Sequence, residues 1–104
     1  MQWASFDNNT TIGQVGSESG VIIRDSEHPL GARITLERDS NIAPYSITCG
    51  IYGCMAHTRF FSSEADASLQ FDLMAAALDS ILRASQDDNE DLIDSIGRFV
   101  EEFP

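Results

Sequence analysis

Ser63–Leu82, SEADASLQFDLMAAALDSIL, is the stretch whose reading decides the fold. Ser63 followed by Asp66 has the form of a capping box with Asp in the N3 place. Phe71, Met74, Leu78, Ile81 and Leu82 then share one stripe of a 3.6-residue period, which predicts an amphipathic helix of about five or six turns. Asp87–Glu90 interrupt it. Leu92, Ile93, Ile96, Phe99, Val100 and Phe103 continue at helical spacing and predict a second, shorter helix, so that 63–103 is helical.

Upstream the period is two. Val21–Asp25 and Ala32–Arg38 are β-rich runs on either side of a loop holding Ser26, His28, Pro29 and Gly31, which reads as a hairpin. After a second loop, Asp39–Pro44, the runs Tyr45–Tyr52 and Met55–Phe61 flank Gly53 and read as another. The expectation is an α+β fold: a four-stranded antiparallel meander over 21–62, then two C-terminal helices packed on one face, in the order β-β-β-β-α-α. Residues 1–20, with Gly13, Gly16 and Gly20 among polar residues, read as a mobile leader. The 104 residues fit a single domain, with room for one modest core.

Alternation along each strand sorts residues by face. A turn on Tyr52 and Gly53 sets Ile51 opposite Cys54, so Tyr45, Ile47, Cys49 and Ile51 lie inward with Cys54, Ala56, Thr58 and Phe60. Ser46, Thr48, Gly50 and Tyr52 then lie outward with Met55, His57, Arg59 and Phe61. In the first hairpin Val21, Ile23, Ala32, Ile34 and Leu36 are expected inward, and Ile22, Arg24, Arg33, Thr35 and Glu37 outward. That arrangement brings Arg24, Arg33 and Arg59 near one another on the outer face, and a register pairing Arg24 directly with Arg33 requires something negative between them: Glu37, a partner's carboxylate or a bound anion.

Charge narrows the function classes. Asp and Glu number 17 against 6 Arg and no Lys, a formal net charge of -11, and 11 of the acids fall between Glu64 and Glu102. Such a chain repels phosphate backbones and anionic lipid, so no nucleic-acid and no membrane partner is expected, whereas a basic partner is favoured. Met1–Thr11 has no basic and apolar signal pattern, and no apolar run approaches the roughly 20 residues of a membrane span, so a cytoplasmic protein is expected.

Several chemistries fail on spacing. Cys49 and Cys54 lack the two further ligands that structural zinc needs, and their expected inward face is opposite to that of His57; no metal and no cofactor is expected, and both thiols read as buried small hydrophobes. GSESG at Gly16–Gly20 has Glu18 where a nucleophile elbow has Ser. Asp87, Asn89 and Asp91 match the start of an EF-hand loop, but Leu92 and Arg98 stand where Gly and Glu are required. His28 reads as an exposed loop residue. What is left is one constellation on the outer sheet face: Arg24, Arg33, Glu37, Thr48, Tyr52, Met55, His57, Arg59 and Phe61, whose Met, aromatic and Arg content is that of a protein contact surface. The leading expectation is a non-catalytic protein–protein interaction module, a homodimer through that face. The alternatives are a binder or inhibitor of a basic protein through the acidic helices, and an anion-binding protein or small enzyme centred on His57 and Arg59.

Overall fold

The long helix starts where the capping pattern places it. In the computed structural model, which describes residues 2–86 and 90–104, Ser63 has extended backbone (φ -133°, ψ 149°) and its hydroxyl accepts the Asp66 N–H at 3.2 Å. Helix α1 (Glu64–Ala84) follows, then α2 (Glu90–Glu102). Of the acidic break expected at Asp87–Glu90, residues 87–89 lie outside the described residues. Before the helices come β1 (Ala4–Ser5), β2 (Val21–His28), β3 (Ala32–Arg38), β4 (Tyr45–Ile51) and β5 (Met55–Phe61), an antiparallel sheet in sequential order. The α+β class is as expected, but the sheet has five strands rather than four.

The additional strand comes from the leader. β1 pairs with Glu27 and Ser26 of β2, and the chain then crosses to the outer face through a tight turn at Phe6–Asn9. Trp3, on the helix side, donates its indole N–H to the Ala75 carbonyl of α1 at 3.0 Å. Further on, Gly13 N–H donates to the Ile22 carbonyl and Ile22 N–H to the Gln14 carbonyl, at 2.8 and 2.9 Å, so residues 13–14 also line the β2 edge. The segment read as a mobile leader thus carries secondary structure and a set of main-chain bonds to the sheet.

Two local irregularities set the faces of the sheet. In the last hairpin Ile51 pairs with Met55, not with Cys54, because the turn has three residues, Tyr52–Gly53–Cys54, with Gly53 at φ 77° and Cys54 N–H donating to the Ile51 carbonyl at 2.9 Å. This one-residue difference reverses every side chain of β5: Met55, His57, Arg59 and Phe61 face the helices, and Ala56, Thr58 and Phe60 face outward. Cys54 is exposed in the turn, which corrects the expectation of two buried thiols. In β2 a bulge between Ile22 and Arg24 shifts the register, so Arg24 pairs with Leu36 on the helix side while Ile22 stays outward and buried under the leader. β2 also continues to His28, since Ser26, Glu27 and His28 pair with Ile34, Arg33 and Ala32; His28 is therefore buried in the sheet, not exposed in a loop.

The core lies between the sheet and α1 and takes in Phe99 and Phe103 of the C-terminal segment. Ile34, Leu36, Ile47, Met74 and Leu78 are fully buried, each contributing about 1.5–3 kcal/mol relative to exposure. The leader is seated as tightly at one point as the core. A Cβ on Gly16 would lie 2.5 Å from the Glu37 carboxyl carbon, and Glu37 is itself fully buried. Gly16→Ala should accordingly cost about 1–3 kcal/mol by overpacking. Gly97→Ala, exposed on α2 with open space around the new methyl, should instead stabilise by about 0.5–1 kcal/mol. Urea unfolding of both variants is the measurement, and equal signs would contradict the seat of the leader on Glu37.

Candidate functional site

The nine residues offered by the sequence divide between the two faces of the sheet. On the helix side, His57 hydrogen-bonds through Nε2 to the Phe103 carbonyl and meets the Phe99 ring edge-on, with centroids 6.4 Å apart. Arg59 donates from Nε to the Pro104 main-chain oxygen at 3.1 Å and from Nη1 to Gln70 Oε1 at 2.7 Å. A helix C-terminus leaves carbonyls unpaired and carries partial negative charge, and these two side chains supply the donors. The groups that looked suited to an external anion therefore hold the end of the C-terminal segment, in surroundings whose burial lowers the Arg59 pKa. Met55 and Phe61 pack beside them against the core. Arg24 is on this side as well, 3.0 Å from the Asp72 carboxylate and stacked 3.8 Å from the Phe71 ring centroid.

Arg33, Glu37, Thr48 and Tyr52 remain on the outer side. Arg33 is opposite Glu27, not Arg24, so the expected arginine cluster is not formed. Its guanidinium grips Asp25 bidentately, at 2.9 and 2.6 Å, and stacks 3.7 Å from the Phe6 ring centroid. Asp25, whose side chain is wholly buried, also accepts from the hydroxyls of Thr35 at 3.0 Å and Thr11 at 2.8 Å. The side-chain hydrogen bond with Asp25 is the main reason that the Arg33 pKa is raised. Glu37 has a different solution, accepting backbone N–H groups of Gly20 at 2.9 Å and Glu18 at 3.3 Å. Tyr52 donates to Glu27 at 2.6 Å, and desolvation together with that carboxylate pushes its phenol up to about 12, out of range for acid–base work near neutrality. Between the leader and these strands runs an open groove of about 480 Å³, lined in part by Thr11, Gln14, Arg33, Thr35, Thr48 and Tyr52.

The His28 site was missed in the sequence analysis, where His28 reads as an exposed loop residue; it is buried. Leu30 N–H donates to His28 Nδ1 at 3.1 Å, which leaves the proton on Nε2 to be donated to Asp79 Oδ1 at 2.7 Å. Trp3 closes over the ring edge-on at 5.1 Å. Asp79 of α1 also receives Arg83 at 3.2 Å. The dyad resembles a catalytic pair only in composition, since both imidazole nitrogens are occupied by intramolecular partners. Its signal in sequence was a polar residue on the core stripe, Asp79 beside Leu78 and Leu82.

Every buried side-chain nitrogen and oxygen among the described residues has a hydrogen-bond partner, and no group of three His, Cys, Asp or Glu among them could hold a metal. No helix among the described residues is long and apolar enough to cross a membrane. Comparison of the chain with family models, curated proteins and solved structures finds no match.

Two measurements check this geometry. The His28 hydrogen bond, with smaller help from Arg83, holds the Asp79 carboxyl below its ordinary value. A carboxyl lowered by folding stabilises the protein fully above its unfolded pKa of about 3.9, and that contribution is lost as pH falls through the lowered folded value. Asp79→Asn should therefore cost about 1–3 kcal/mol at pH 6 and progressively less below about pH 4, as read by denaturant titrations across that range. With a thiol reagent in native buffer, Cys54 should label rapidly, whereas Cys49, buried and with its thiol pushed up to about 12 by desolvation, should label only on unfolding.

Proposed function

We propose that the protein is a non-catalytic interaction module whose partner is a basic protein, bound through the acidic helices. The observation that carries this reading is the state of its charges. Cations of the sheet are consumed internally: Arg24 on Asp72, Arg33 on Asp25, Arg38 on Asp39, Arg59 on the Pro104 main-chain oxygen and the Gln70 side chain. Asp66, Asp94, Glu101 and Glu102 are exposed on the helices, and among the described residues none of these four is within salt-bridge distance of a cation. Against a net charge of -11, these carboxylates set up a field that draws in a basic surface and speeds its encounter. The commitment of His28, His57, Asp25, Tyr52 and Glu37 to intramolecular partners supports binding over catalysis.

Self-association through the outer sheet face is a second reading, favoured by Tyr52 and Phe60 on that side, 53% and 42% exposed. It has less support than the sequence suggested, since Met55, Arg59 and Phe61 face the helices, and a second copy brings the same negative charge.

The test replaces Asp66 and Asp94 by Asn and Glu101 and Glu102 by Gln, and follows association with the partner captured from native extract at low and high salt. The expected result is a partner of basic isoelectric point and an association rate lowered at least about tenfold at low salt, with a much smaller change at high salt. An unchanged rate at low salt would refute the reading. Light scattering of the protein alone across a dilution series should give the monomer mass, and a concentration-dependent dimer would favour the outer face instead.

A further inference from the structure

Leu69 and Leu73 do not belong to the core stripe of α1. They are 57% and 46% exposed, and they recur at four-residue intervals with Ala77 and Ile81, which are partly buried against the core, so that one ridge runs from the exposed leucines to the edge of the core. The ridge runs into a cleft of about 270 Å³ between α1 and α2, walled by Ala77, Ser80 and Ile81 on one side and Ser95, Phe99 and Glu102 on the other. Among the described residues Arg98 is the one cation lining the cleft, and its guanidinium donates to the Ser95 hydroxyl at 3.2 Å.

We propose that this ridge and cleft are the docking site for a basic amphipathic helix of the partner protein. The proposal rests on the basic-partner reading and gives it a location. Within a helix the main-chain donors and acceptors are already paired, so α1 offers an incoming segment no ladder to extend; affinity has to come from side chains. The apolar row from Leu69 to Ile81 extends about 18 Å at 1.5 Å per residue, the length of three turns of a partner helix presenting anchors at i, i+3 or i+4, and i+7. Covering two half-exposed leucines supplies apolar burial, and the surrounding charge selects the sign of the rim. Asp66 stands one turn before Leu69, Glu102 is on the cleft wall, and Asp94 and Glu101 are exposed on α2. Lys and Arg flanking the partner's apolar stripe would meet these carboxylates. A second copy of this chain would bring acids to the same rim, and an anionic lipid surface would be repelled by it.

The test uses two fluorescent peptides of equal length and composition, rich in Lys, Leu and Ala. One places its leucines on a single helical face and the other has them scrambled. Anisotropy titration at low salt should show the amphipathic peptide binding about tenfold more tightly than the scrambled one. Leu69→Glu with Leu73→Glu should weaken its binding about tenfold even though two negative charges are added, because the apolar anchors are lost. Ala56→Glu with Phe60→Glu, the same change in charge on the exposed outer sheet face, should leave it unaltered. All four positions are exposed, and circular dichroism with thermal unfolding verifies that both double variants keep the fold. Equal affinity for the two peptides, or undiminished affinity of the Leu69/Leu73 variant, would overturn the docking site while leaving a basic partner in place. Absence of binding by either peptide at low salt would overturn both.

Discussion

Side chains alternate across a strand, so the number of residues in a turn decides which face every following residue occupies. In this protein the constraint acts at Tyr52–Gly53–Cys54, where a three-residue turn rather than a two-residue one points His57 and Arg59 at the helices. From that orientation follow the bonds to Phe103 and Pro104, the placement of the end of α2 against β5, and the removal of Met55 and Phe61 from the outer surface. The β2 bulge does the same for Arg24, delivering it to Asp72 and Phe71 of α1. Two local irregularities thus convert a prospective contact surface into the fastening between sheet and helices.

A second organising fact is how the three acids buried among the described residues are accommodated. Asp25 is met by a bidentate arginine and two hydroxyls, Asp79 by a neutral imidazole and an arginine, and Glu37 by main-chain N–H groups of the leader. Leaving a buried carboxylate without partners costs several kcal/mol, so the residues that satisfy it are bound into the fold as firmly as apolar contacts bind the core. For Asp25 and Glu37 those partners include Thr11, Glu18 and Gly20, which explains why a glycine-rich segment belongs to the structure.

Legibility in the sequence followed the strength of periodic signals. The capped helix beginning after Ser63, the sheet-then-helices order and the approximate strand positions are written in hydrophobic spacing. The turn length was not, because neither face of β5 is cleanly apolar: Met55, His57, Arg59 and Phe61 compete with Ala56, Thr58 and Phe60, and Gly53 suits a turn of either length. No glycine or proline marks the β2 bulge. His28 looked like a loop residue because Pro29 and Gly31 follow it, while the partner that makes its burial possible, Asp79, is remote in sequence. The leader's bonds are largely from backbone groups and leave no pattern to read. Leu69 and Leu73 were visible as leucines off the core stripe, a signal that only gains meaning once the opposite face of α1 is known to be covered.

Trp3 is the single tryptophan of the chain, and it reports from an unusual place. Its indole is tied to Ala75 on α1 and closes over His28, yet it belongs to the leader and not to the main apolar stripe of either helix. Intrinsic fluorescence is therefore a gauge of one latch, whereas far-ultraviolet dichroism is dominated by α1 and α2. If the latch opens at a lower denaturant concentration than the helices melt, the two signals separate, and a stability derived from emission alone describes release of the N-terminal segment instead of global unfolding.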